Sequence, residues 1–203
     1  RHTFDTPIFE GYGMTEASPV IAVNNNLRYK EGTVGCLLPG IRYRLELVEG
    51  LKEGGRLWIS GPNVMLGYLN KTGEVKPYSA DGWYDTGDIA TVDDEGFMTL
   101  LGRARRFAKI GGEMVSISAV ENVLASLWPD HVHAVVSKAD DKKGEELVLM
   151  TTHPEAKREN IVHYMRHNGH AEILTPKSIV ILPEIPLLAT GKIDYVALNT
   201  MVN

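Results

Sequence analysis

Apolar and polar residues alternate at period two through IRYRLELV (Ile41–Val48), the pattern of a strand with one face buried and one in water. Gly54-Gly55 turns the chain into RLWIS, a second short strand. IATV and FMTLL flank DDEG between Asp88 and Gly102, which predicts a hairpin with Asp93, Asp94 and Glu95 as solvated turn residues. Upstream of it, YDTGD (Tyr84–Asp88) predicts a separate turn. After Gly102 the pattern changes. GRARRFAKIGGE is basic, punctuated by glycine and short of apolar periodicity, as a linker is.

Helical spacing follows. Val120, Val123, Leu124 and Leu127 recur at three and four residues, with Ser118 and Glu121 as an S-x-x-E capping box and Pro129 as the stop. HVHAVVSK and ELVLMTTH predict strands around the turn ADDKKGE. A second helix over about Lys157–His167 puts Ile161, Tyr164 and Met165 on one face and ends at Asn168-Gly169. SIVILPEI is the last strand, and PLLATGKIDY closes the chain. The expectation is an α+β protein: a small β-rich, distorted barrel-like subdomain over 1–101, then a hinge and a compact α+β domain over 102–203.

Composition narrows the function classes. The 203 residues are 43% apolar and 23% charged, values of a globular chain. A net charge of −5 gives no electrostatic reason to expect nucleic acid, and the basic run Arg103, Arg105, Arg106, Lys109 is too short to reverse that. Cys36 is alone, so the chain holds no internal disulfide and no cysteine zinc site; a buried apolar role and a reducing compartment fit it. No apolar run approaches the roughly 18 residues of a membrane span. The sequence opens on Arg1, directly on motif-like residues, which leads to the expectation of a piece cut from a longer protein.

Several motifs fail on inspection. Counted from Asp85, an EF-hand would need carboxylates where Gly87 and Ile89 stand. ATGK is no P-loop, since Pro186 and Ile193 occupy its required glycine and hydroxyl positions. His131 and His133, two apart, have no third ligand in view and read as ordinary surface or packed histidines.

Four short blocks remain: GYGMTE (Gly11–Glu16), YDTGD, GRARRFAKIGGE (Gly102–Glu113) and ATGK (Ala189–Lys192). Each alone is an ordinary turn, linker or solvated lysine. In this order, together with GGRLWISGPNVMLGY (Gly54–Tyr68), they resemble the C-terminal half of the acyl-adenylate-forming superfamily, over the length of the chain. That resemblance implies the following roles. Tyr12 would stack on adenine, Thr15 would bond the α-phosphate region and Glu16 would hold Mg²⁺. Asp88 would accept from both ribose hydroxyls, and Arg103 would contact ribose or phosphate. Lys192 would neutralise charge as an acyl carboxylate attacks the α-phosphate, on a loop kept mobile by Gly191. Lys109 and Gly111, Gly112 and Glu113 would serve a second domain pose, in which a pantetheine thiol takes the acyl group. Arg105 would be the hinge residue, where relatives usually carry Asp or Lys.

Within the family, GRARRFAKIGGEMVSISAVE and PLLATGKIDY are most similar to the bacterial acyl-acyl-carrier-protein synthetase branch, in which adenylation is joined to 2-acylglycerophosphoethanolamine acyltransferase activity. This implies a fatty acid, ATP, Mg²⁺ and the phosphopantetheine of acyl carrier protein, with acyl-CoA ligase as the alternative. It also implies a location on the cytoplasmic side of the inner membrane, with membrane contact only through the parent. The family's glycine-rich phosphate loop and acyl pocket are absent from these residues, so the chain alone is expected to be inactive. Two other classes stand against the enzyme: a carrier-protein docking module using Arg103, Arg105 and Arg106, and a degenerate relative. A binding module needs no adenylation lysine, which favours the ligase.

Overall fold

The computed structural model describes residues 6–202. The chain forms two compact units: one extends to Val48 and includes Glu53–Arg105, the other joins Glu49–Lys52 to the residues from Arg106 onward.

The first unit is built from sheets. Strands β1 (Gly11–Gly13), β2 (Val20–Val23) and β3 (Cys36–Leu37) form an antiparallel sheet in that order. Strands β4 (Arg42–Glu46), β5 (Gly55–Ser60), β8 (Tyr84–Val92) and β9 (Met98–Arg103) form a second, while β6 (Gly67–Leu69) and β7 (Val75–Pro77) pair as a hairpin. The barrel-like expectation is corrected here. Among the described residues β4 and β9 are the two edges of their sheet and do not pair, so it stays open. Ile21, Leu57, Ile59 and Met98, all fully buried, lie in its core. Cys36 is only half-buried, on the two-residue strand β3, where it pairs with Val23 on one side and bridges to Phe97 on the other. Asp93 is more than a solvated turn residue. Its carboxylate accepts from the Phe97 and Glu95 amides at 2.8 and 3.0 Å and pairs with Lys30 at 2.6 Å.

The run read as a linker is structured. Its first residues finish β9, Ala104–Arg106 make one 3-10 turn, and the rest forms β10 (Phe107–Ile110) and β11 (Glu113–Ser116). Only Ala108 and Ile110 point inward along β10, too few alternations to read as a strand from sequence. Gly111 and Gly112 have φ of 58° and 88° between paired Ile110 and Glu113, the positive dihedrals a two-residue hairpin turn demands.

In the second unit, β12 (His133–Asp140) and β13 (Gly144–Thr151) form its longest antiparallel ladder. β14 (Ser178–Ile181) runs parallel to β13, and β10 meets β13 at Gly144. Apolar residues at successive positions bury both sheet faces, as a central sheet requires. Val135, Leu147 and Leu149 face helices α1 (Ile117–Leu127) and α2 (Arg158–His167). Ala134, Val136, Val148 and Met150 pack with Ile185 and Leu198, the latter on helix α3 (Tyr195–Val202). Ser116, not Ser118, caps α1: it is extended at φ −70°, ψ 111° and accepts from the Ala119 amide. Glu121 lies a turn further in and has other partners, so the expected capping box does not form.

Asp140 marks the turn after β12. The Lys177 ammonium at 2.7 Å, helped by the Lys143 amide, holds its carboxyl down at about 2. A carboxyl depressed in the fold stabilises above its unfolded value near 3.8 and loses that contribution as pH falls towards 2. Asp140→Asn is therefore expected to be less stable than wild type at pH 7 in urea unfolding, with the two curves converging near pH 2. A gap of constant size across that range would rule this out.

Candidate functional site

Asp88 sits where β8 leaves regular pairing. Asp85 faces Trp58 and Ile89 faces Arg56, so four steps along β8 match two along β5 and residues 86–88 bulge. The predicted DTGD turn is this bulge, inside a nine-residue strand. Gly87 permits it with φ of 71°. Asp85 accepts from the Gly87 amide at 2.9 Å and takes both arms of Arg56 at 2.9 and 2.5 Å. Burial pushes the Asp85 carboxyl up, but the Arg56 bonds and the Gly87 amide outweigh it, leaving it below the ordinary range. The Thr86 hydroxyl donates to Leu57 O at 2.8 Å and accepts from the Asp88 amide at 3.1 Å.

Thus held, the Asp88 carboxylate is 7% exposed and gripped from two sides. Tyr12, on β1 and 76 residues away in sequence, donates its hydroxyl to Oδ2. Arg103 Nε lies 3.0 Å from Oδ1, on a side chain that is 62% exposed and also donates to Thr86 O at 3.2 Å. Burial pushes Asp88 up, against the opposing pull of the Tyr12 hydroxyl and the Arg103 charge. Burial, then the bond to Asp88, pushes the Tyr12 hydroxyl well up as well. Tyr12 is therefore a buried anchor in this structure, its ring in the core rather than open for stacking.

The rest of GYGMTE is shaped by backbone contact. A Cβ on Gly13 would lie 2.3 Å from Pro19 O, so only glycine lets the Met14 amide reach that oxygen, at 2.8 Å. A single turn follows at Thr15–Ala17. Ser18 closes it at φ 54°, the one non-glycine residue with positive φ among the described residues, and a costly conformation of the kind that concentrates at functional sites. Thr15 is exposed and Glu16 half-buried, with Oε1 accepting from the Tyr68 hydroxyl at 3.1 Å. The described residues contain no cluster of three His, Cys, Asp or Glu able to hold a metal alone. One carboxylate beside an exposed hydroxyl does fit magnesium, which is usually held by one or two carboxylates plus substrate phosphates.

The remaining candidates other than Arg105 lie in the second unit. Lys109 Nζ pairs with Glu49 at 2.9 Å, and its amide donates to Glu145 at 2.6 Å. Glu113 pairs with Lys52 at 3.0 Å. Lys192 is exposed in a tight turn in which the Leu188 amide bonds Lys192 O at 2.7 Å and Gly191 has φ of 78°. Arg105, also exposed, is the last residue of the first unit. His133 is buried between the Thr151 hydroxyl at 2.8 Å and Trp128 O at 2.9 Å, a packed histidine; His131 stacks on His153.

Two contacts had no signal in the sequence. One is the Tyr68 bond to Glu16. The other is a network around Glu121, which meets Arg106 at 2.6 Å, the Val135 amide at 2.8 Å and the Tyr195 hydroxyl at 3.1 Å.

A carboxylate-centred polar site on a mixed α+β fold is the class these observations define. Residues 1–69 match the family model described as AMP-binding enzyme. The chain is 31% identical over 194 residues to a long-chain-fatty-acid–CoA ligase of Yersinia pestis, covering 92% of this chain and 34% of that protein. It is also 31% identical over 201 residues to an indoleacetate–CoA ligase of Aromatoleum aromaticum, covering 95% and 39%. Among solved structures it is similar to o-succinylbenzoate CoA synthetase from Bacillus subtilis in complex with its acyl-adenylate intermediate: TM-score 0.75, 28% identity, 92% of this chain and 40% of that one. The chain thus spans between a third and two fifths of the length of these relatives. The names of all three include CoA.

Proposed function

We propose that the chain is the C-terminal part of an ATP-dependent acyl–CoA ligase of the AMP-binding family. Its parent joins a carboxylic acid to ATP as acyl-adenylate, releasing pyrophosphate, and then passes the acyl group to the thiol of CoA, releasing AMP. The observation that carries this reading is the meeting of Tyr12, Asp88 and Arg103, from three separate motifs, around one carboxylate.

Each residue has a part on this reading. A carboxylate has about four lone-pair sites. Asp88 can therefore take the two ribose hydroxyls once the exposed Arg103 side chain swings aside, while Tyr12 keeps it oriented; stacking of adenine on Tyr12 requires its ring to be uncovered. Thr15 bonds the α-phosphate region and Glu16 holds magnesium, which when bound neutralises phosphate charge. Lys192 supplies an ammonium to the oxygens that gain charge as the acyl oxygen attacks. Lys109, Gly111, Gly112 and Glu113 serve the thioester step, with Arg105 as the pivot, although their turn geometry and ion pairs already give them a structural purpose.

Asp88→Ala in the complete protein is expected to raise the KM for ATP by ten-fold or more, since a charged acceptor contributes about 1.5–3 kcal/mol per hydrogen bond. An unchanged KM for ATP would refute the nucleotide reading. The acceptor is tested by offering CoA and acyl carrier protein in competition. Preference for the carrier protein would favour the narrower variant, an acyl-acyl-carrier-protein synthetase. The 203 residues alone are expected to form no acyl-adenylate.

A further inference from the structure

Tyr68 is poorly placed to be a packing residue. It lies on the short hairpin strand β6 and is 52% exposed, so its ring contributes little to the core. Its hydroxyl, by contrast, is engaged twice: 3.1 Å from Glu16 Oε1 and 3.1 Å from the Tyr84 hydroxyl. An ionised carboxylate only accepts, so Tyr68 gives its single proton to Glu16 and accepts in turn from Tyr84. The direction of the chain is thereby fixed, from Tyr84 through Tyr68 to Glu16. Its far end is anchored in the sheet. Tyr84 opens β8, the strand that carries Asp88, and its ring stands edge-on to Tyr78 with centroids 5.4 Å apart. Burial, and after it the bond to Tyr68, pushes the Tyr84 hydroxyl well up, so it keeps its proton at neutral pH.

We propose that Tyr68 is a positioning residue for Glu16, fixing which carboxylate oxygen is committed to the protein and which is left for a divalent cation. The inference rests on the reading of Glu16 as the magnesium residue. With Oε1 on the phenol, Oε2 is the oxygen left for the metal, and rotation about the last side-chain bond is restrained before any cation arrives. Outer partners that orient a metal-binding carboxylate commonly contribute about ten-fold or more in metal affinity. The relay also ties that carboxylate to the strand that presents Asp88, so the groups proposed for metal and sugar share one support.

The test is Mn²⁺ binding to the complete protein in the presence of α,β-methylene ATP, followed by loss of the free-ion electron paramagnetic resonance signal. Tyr68→Phe should weaken Mn²⁺ binding by about ten-fold without lowering the thermal midpoint of the metal-free protein, because an exposed ring keeps its shape. Tyr84→Phe, one bond further back, should weaken it less. Glu16→Gln should weaken it more than either. If Glu16→Gln loses Mn²⁺ and Tyr68→Phe binds it like wild type, the positioning role is overturned and the Glu16 reading stands. If Glu16→Gln itself binds like wild type, the Glu16 reading fails and takes the inference with it.

Discussion

Replacing Lys192 by alanine in the complete protein is expected to slow acyl-adenylate formation by about 10²–10³-fold, the usual loss when one positioned charge-stabilising group is removed. On the proposed reading, negative charge builds on the α-phosphate oxygens as the acyl oxygen arrives, and a positioned ammonium stabilises that charge more than it stabilises the ground state. The turn that carries Lys192 is held by backbone bonds between Leu188 and Lys192 and by the Leu187–Ile193 bridge, none of which uses the side chain. The variant should therefore fold normally. Pyrophosphate exchange measures the first step, and thioester formation from supplied acyl-adenylate measures the second, which should be nearly unchanged. A drop of less than about five-fold in exchange, well short of the expected range, would remove Lys192 from the chemistry. Carrier binding without any turnover, in wild type and variant alike, would instead point to a docking module.

The second large effect is on stability. Glu121→Ala is expected to destabilise the second unit by about 3–5 kcal/mol, the cost of leaving one member of a buried ion pair without its partner. Glu121 and Arg106 side chains are 16% and 17% exposed. Arg106 Nη2 lies 2.6 Å from Glu121 Oε2 but off the hydrogen-bond axis, so the contact is an ion pair more than a directed bond. The guanidinium also covers the Tyr195 ring at 3.8 Å, and the Tyr195 hydroxyl turns back to Glu121. Burial, followed by the Glu121 charge, pushes that hydroxyl up to about 12. Alanine would strand the Arg106 charge and the Val135 amide together. Glu121→Gln, which keeps the acceptor for that amide, should cost less. Urea unfolding checks both; a loss under about 1 kcal/mol for alanine would mean that water already reaches the Arg106 charge.

Much of the fold was legible because its signals are local. Period-two alternation placed β4, the Gly54-Gly55 turn placed β5, DDEG placed the β8–β9 hairpin, and Ile161 and Met165 marked the buried face of α2. The misses arose where a local pattern had two physical meanings. Gly87 in DTGD signals positive φ, which serves a turn or a bulge equally, and the partner strand β5 decides between them. Ser118 and Glu121 have capping-box spacing, yet Ser116 caps the helix and Glu121 is claimed by Arg106. Ala108 and Ile110 supply too short an alternation to mark β10 as a strand.

The candidate site divides in the same way. The resemblance nominated its residues: a carboxylate proposed for a diol, a carboxylate proposed for a cation and a late lysine proposed for phosphate. Their mutual placement was not readable, because Tyr12 and Asp88 meet across 76 residues and no spacing rule spans that distance.

By itself, then, the sequence determined the α+β class and the order of β4, β5, β8, β9, β12, β13 and β14 and of helices α1 and α2. These follow from backbone periodicity and side-chain character, which are set within a few residues. Only the tertiary structure decided that the β subdomain stays open, that Asp88 is buried on a bulge and paired with Arg103, and that Glu16 and Glu121 each answer to a distant tyrosine. Strand pairing and burial bring distant groups within bonding distance, and desolvation there sets what each charge is worth.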